Sequence, residues 1–221
     1  MKEHPILFSG EMVRAILDGR KTQTRRICKP SSGQKRYVRD SWAGRVPTPS
    51  EWNGMAGTAA LAVIGNGDYF YCPYGQPGDR LVMLCTWAAP KKYDKVKPSR
   101  LPKNVRIWTL FDGSGKPDWC GRPRPGRFMP KWMRSRMPRA EITEVRVQRV
   151  QDISEEGARA EGCEEDRYRS GHEPGTIETA VIAYERLWDR INGKTFPWAS
   201  NPWVWAITFR RVKAAMGERD D

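Results

Sequence analysis

Met12, Val13, Ile16 and Leu17 fall on one face of a helix, and Ser9 just ahead of them is suited to accept from the free amides of a first turn. Residues 9–18 therefore read as a short helix, which Gly19 stops by reversing the chain. Far downstream, Trp203, Trp205, Ile207 and Phe209 alternate with Val204, Ala206 and Thr208, the period of two that marks a strand. Ahead of that strand, Ile177, Val181, Tyr184, Leu187, Trp188 and Ile191 keep helical spacing until Asn192-Gly193. Ser154, followed by Glu155 and Glu156, starts a shorter helix that ends at Gly162.

The middle of the chain is strand-rich. Arg80 to Trp87 is a continuous apolar run entered through the turn Gln76-Pro77-Gly78-Asp79, as expected of a strand covered on both faces. Arg106–Phe111 and Ala59–Ile64 read as further strands. In Ala140–Val150 the apolar parity changes between Ile142 and Val145, so a bulge is expected near Thr143 and Glu144. Strands outnumber helices, and irregular connections rather than helical crossovers join them. That pattern predicts an α+β fold, a small mixed or antiparallel β-barrel with peripheral helices, and disfavours a doubly wound sheet. Residues 1–221 read as one domain with long loop insertions at about 28–76 and 90–127.

Charge narrows the partners. Thirty-nine Lys and Arg against 26 Asp and Glu leave +13, which favours a polyanion. No stretch approaches the ~20 apolar residues of a membrane span, and the first ten residues lack a signal-peptide core, so a cytoplasmic protein without membrane contact is expected. The five cysteines are scattered without a C-x-x-C pair and only two histidines accompany them, which argues for reduced thiols and against a disulfide framework, a metal site or a metal cofactor.

Two segments carry candidate chemistry. In Gly19-Arg20-Lys21-Thr22-Gln23-Thr24-Arg25-Arg26, Lys21 and Thr24 follow a helix stop at a spacing that lets both point into one cleft, and an amine beside a hydroxyl can generate a nucleophile. The amine must then lose its usual basicity through burial and the neighbouring cations Arg20, Arg25 and Arg26. A solvated basic loop accounts for the same residues. In Gly113–Arg139, eight cations face one acid, and Trp119, Phe128 and Trp132 are interleaved with them. Arg122, Arg124, Arg127, Lys131, Arg134 and Arg136, with Trp132, suit phosphate contact and base stacking on single-stranded nucleic acid, to which Arg20 and Arg25 could add.

Gly19, Lys21, Thr24 and Arg26 match G-x-K-x-x-[TE]-x-R, and the chain here resembles the ASCH superfamily, whose members are similar to PUA-type RNA-binding barrels. Pro77-Gly78-Asp79-Arg80-Leu81 with Thr86-Trp87, Phe128–Trp132 leading through Glu141–Val145 to Val150–Glu156, and Asn201–Trp205 agree in order, over a third to a half of the chain. The arrangement looks like the larger family members carried by phages and prophages. The resemblance implies an amidohydrolase of N(4)-acetylcytidine, with Thr24 attacking the acyl carbon, Lys21 moving its proton, Glu161 orienting Lys21 or protonating the leaving amine, and Arg26 polarising the oxyanion. One departure stands out: where the family commonly has Arg-Glu-Thr-Trp, this chain has Leu84-Cys85-Thr86-Trp87, so a carboxylate is lost and Cys85 reads as a small buried hydrophobe.

Three functions remain open. The chain is a hydrolase of an acylated or otherwise modified nucleoside, a non-catalytic module for RNA or single-stranded DNA, or a ribonuclease using the same Lys and Arg residues.

Overall fold

A computed structural model describes residues 1–28, 68–112, 115–164 and 179–212, together with the strand pairs at 44–45 and 61–64; for 44–45, 61–64 and 68–71 it fixes pairing alone. Ala59, Ile177 and most of the expected 28–76 insertion lie outside the described residues. In chain order the strands are β1 (Glu3–Leu7), β2 (Gln23–Ile27), β3 (Gly44–Arg45), β4 (Leu61–Ile64), β5 (Asp68–Tyr71), β6 (Arg80–Leu84), β7 (Trp87–Ala88), β8 (Trp108–Thr109), β9 (Arg139–Arg149) and β10 (Trp203–Val212). The helices are α1 (Gly10–Leu17), α2 (Lys131–Arg134), α3 (Glu155–Ala160) and α4 (Ala180–Asn192).

The fold is α+β. Its centre is a five-stranded mixed sheet in the order β1-β6-β9-β10-β2, with β1 parallel to β6 and the other neighbours antiparallel. β3-β4-β5 and β7-β8 form two small sheets beside it. The expected barrel is not closed by a hydrogen-bonded ladder among the described residues, because β1 and β2 each keep a free edge. The curl of the sheet nevertheless brings those edges near each other: the Arg26 guanidinium donates from Nη2 to the Leu7 carbonyl at 2.5 Å and lies 5.0 Å from the Phe8 ring.

Periodicity placed the long elements well. Ser9 caps α1 by accepting from Met12 N, and Gly19 follows at φ 80°. β9 and β10 shift register between Thr208 and Phe209, which face Glu144 and Ile142, so Thr143 is the extra residue of a bulge that moves the later apolar set of β9 to the other parity. Trp205, Ile207 and Phe209 of β10 enter the main core with Ile6, Val13, Ile16 and Leu81, while Val204 on the opposite face packs with Ala158, Tyr184 and Trp188 of α3 and α4.

Two expected strands are shorter than their apolar runs. Arg80–Trp87 breaks after Leu84: the chain leaves the sheet at Cys85, and Trp87 pairs with Thr109 and bridges to Arg124. Of Arg106–Phe111 only Trp108–Thr109 is paired. A run buried on both faces carries no period, so nothing in it marks the point of departure. The expected loop at Lys91–Lys103 contains two short 3-10 turns, Lys91–Tyr93 and Pro98–Arg100.

A Cβ built at Gly19 would meet nothing within 4 Å, so this glycine is needed for its left-handed backbone alone. Gly19→Ala is expected to cost about 1–2 kcal/mol, read as a lower urea midpoint with an unchanged denaturant slope.

Candidate active site

The reversal at Gly19 is tied down before any side chain acts. Lys21 N donates to Ala15 O at 3.0 Å and Thr22 N to Ala160 O at 2.8 Å, so the segment passes under the C-terminal end of α3. The segment expected to display cations on a loop is largely interior. Residues 23–27 form the edge strand β2, and Lys21, Gln23, Thr24 and Arg25 are buried; Arg20 alone of the basic cluster is exposed, and it pairs with Asp18 at 2.9 Å.

Lys21 is 2 % exposed. Its Nζ donates to Glu161 Oε2 at 2.6 Å and to the Glu161 carbonyl at 2.8 Å. Glu161 is the residue after the last turn of α3, and Gly162 beyond it takes φ 85°. A cation therefore meets the carbonyl end of a helix as well as a carboxylate, both favourable. The other carboxylate oxygen, Oε1, accepts from Arg25 Nη1 at 3.3 Å, and the Arg25 guanidinium sits 5.7 Å from the Tyr184 ring. Gly157 makes room for it, since a Cβ there would stand 3.0 Å from Arg25 Nη2.

Two buried cations thus share one buried carboxylate. Burial is the main influence on Lys21 and lowers its pKa; Glu161 pulls back upward through charge and hydrogen bonding, and Arg26 adds to the lowering. Of the cations expected to depress it, Arg26 is the one that registers. Tyr184 stays protonated, its pKa raised well above the usual value by burial and then by the Glu161 charge.

Beside this cluster lies a cleft of about 60 Å³ along the free edge of β2. Thr24, Arg25, Arg26, Glu161 and Tyr184 line it, with Leu187 and Ile191 of α4 among its apolar residues. Lys21 does not line the cleft, whereas Glu161 does. Thr24 is 4 % exposed. The arrangement provides an alcohol at the cleft wall, a carboxylate beside it, and an amine of lowered basicity behind that carboxylate. Cys85 is buried outside this site with its thiol pushed up to about 11 by burial, which keeps it protonated at neutral pH.

The other sequence-derived residues divide sharply. Arg25, read as a phosphate contact, is instead committed to Glu161. Arg124 is 6 % exposed; its Nη2 donates to Tyr93 O at 2.6 Å and Asp94 O at 3.3 Å, a strut between two loops. Arg136 donates to Lys103 O at 3.0 Å and stacks 5.5 Å from the Trp132 ring. Arg122, Arg127 and Lys131 are exposed, and Arg134 is half-buried. Sequence reasoning missed Tyr184 as a site residue and read it only as part of a helix stripe; nothing local distinguishes it from Leu187 or Trp188. Among the described residues no group of three His, Cys, Asp or Glu is placed to hold a metal, and no helix is long and apolar enough to cross a membrane.

Removing one member of a buried charge cluster leaves the others uncompensated. Glu161→Gln is expected to destabilise the protein by about 3–5 kcal/mol. The double variant Lys21→Met with Glu161→Gln should lose less than the sum of its two single variants, with all four states compared by denaturant titration.

No protein-family model, curated protein or solved structure matches this chain, so its function rests on the geometry of the site.

Proposed function

We propose that this chain is an ASCH-family amidohydrolase acting on an N(4)-acylated cytidine or a related modified base, with the curled sheet serving as a PUA-like barrel left open at the Arg26 seam. The observation that carries the reading is the buried Lys21–Glu161 pair, 2.6 Å apart, backing a cleft that Thr24 lines. A lysine held at that depth gives up its proton more readily than a solvated one, and this is the property a general base needs near neutral pH.

In this reading Thr24 Oγ attacks the acyl carbon and its proton passes by way of the Glu161 carboxylate, which lines the cleft, to the Lys21 amine behind it. Arg26, at the cleft wall, faces the oxyanion of the tetrahedral intermediate. The C–N bond then breaks, the nucleobase amine departs with the proton returned by Lys21, and water releases the acyl group from Thr24. Glu161 positions Lys21 throughout: in its protonated state the amine has three hydrogens, and Glu161 takes two of them.

The cleft volume favours a second reading, a non-catalytic module for RNA or single-stranded DNA. About 60 Å³ is room for roughly four waters, less than an acylated pyrimidine occupies, so an intact substrate enters only if the cleft widens.

Release of acetate from N(4)-acetylcytidine by the purified protein separates the readings. The wild type is expected to turn over, and Lys21→Ala and Thr24→Ala each to lose at least about 10²-fold in rate. A wild type inert on this substrate overturns the amidohydrolase.

The rate should rise with pH as Lys21 becomes neutral and level off below the ~10.4 of an ordinary lysine, because burial lowers the folded pKa. Glu161→Gln removes the charge that holds the proton on the amine and should move this limb to lower pH. A limb at the ordinary lysine value in the wild type would contradict the role given to Lys21.

A further inference from the structure

The positive charge is concentrated away from the cleft. Residues 91–136 contain fourteen Lys and Arg against three Asp, a net +11 of the protein's +13. Two loops from this stretch, 95–98 and 122–128, enclose a groove of about 450 Å³, within the range that accepts one small-molecule-sized group. Its walls are stiffened by Pro98, Pro123 and Pro125. Arg124 ties them together through Tyr93 O and Asp94 O, its guanidinium lies 5.3 Å from the Trp87 ring, and its Nη1 has no acceptor among the described residues. Asp94 is the one acid against this wall among the described residues; its Oδ1 accepts from Arg122 N at 2.9 Å, and its charge offsets part of that of Arg124.

Lys95, Lys97 and Arg122 line the groove with exposed side chains, and so does Phe128, a 53 % exposed aromatic. The Arg127 guanidinium lies 4.8 Å from the Phe128 ring centroid. Among the described residues Phe128 is the one aromatic side chain that is exposed, and it stands where the cations converge. We propose that this groove is a docking site for single-stranded nucleic acid, with one unstacked base on Phe128 and the flanking phosphates on Lys95, Lys97, Arg122 and Arg127. A duplex offers no free base face to stack, an acidic peptide carries no base, and a lipid surface meets a protruding patch better than a concave one.

The groove is lined by none of the residues that line the Lys21 cleft. The inference builds on the nucleic-acid side of the proposed function, and strand binding and turnover are measured separately.

The test is fluorescence anisotropy with a labelled oligothymidylate and a labelled oligouridylate across a salt series. Phe128→Ala is expected to weaken binding about 5- to 150-fold, and Phe128→Trp to retain it. Phe128 is half exposed, so neither change removes core. Lys95→Ala with Lys97→Ala should reduce the magnitude of the log–log salt slope by about 1.4, the loss of two phosphate contacts on a single strand. Lys2→Ala with Lys194→Ala, which removes the same charge at exposed sites elsewhere, should change the slope far less.

Unchanged binding by Phe128→Ala, or equal slopes for the two lysine pairs, overturns the proposal in favour of diffuse attraction. Tighter binding to a duplex of the same length or to phosphatidylserine vesicles overturns it in favour of another partner. A wild type that binds strands without hydrolysing N(4)-acetylcytidine sinks the amidohydrolase alone, and one that hydrolyses it without binding strands sinks the groove alone.

Discussion

Two cations and one carboxylate, each nearly excluded from water, hold the candidate site of this protein together. Lys21 and Arg25 approach opposite oxygens of Glu161 at 2.6 and 3.3 Å. Charges at that depth persist only when paired, and one carboxylate cannot fully satisfy two cations. Burial bears hardest on the amine, because an ammonium can release a proton where a guanidinium keeps its own. The same contacts join the edge strand β2 to the end of α3, so the geometry of the cleft and the chemistry of its lysine have one origin.

How much of this could be read from the residues depended on how local the signal was. α1, β10 and the bulge at Thr143 were legible because each writes a period, or a break in one, into neighbouring residues. Where Arg80–Trp87 leaves the sheet was not, since an unbroken apolar run looks the same paired or unpaired. The ion cluster is the extreme case: Lys21 and Glu161 are 140 residues apart, and Arg25 and Glu161 are 136 apart. No spacing rule spans that distance, and Glu161 was reached only through a family resemblance. Arg25 was misjudged because a guanidinium within a basic run reads as solvated until its partner is known.

The cationic residues sort into structural and solvent-facing sets that composition alone cannot separate. Arg25 and Arg124 are buried and their guanidinium groups serve the fold, one through a carboxylate and the other through backbone carbonyls. Lys95, Lys97, Arg122 and Arg127 stay in water around an exposed aromatic ring. A high net charge therefore overstates what is available to a polyanion, and the relevant quantity is how much of it faces one concave surface.

The contact between Arg26 and Leu7 bears on how the two edge strands can part. A continuous ladder would fix two edge strands at the roughly 4.8 Å repeat of a sheet, and parting them would break several backbone bonds together. Here one flexible side chain spans the gap, so the described contact between the edges yields to a change of rotamer. Parting the two edges at this contact then asks for the rearrangement of a single residue, on the timescale of side-chain motion, with the strands left intact.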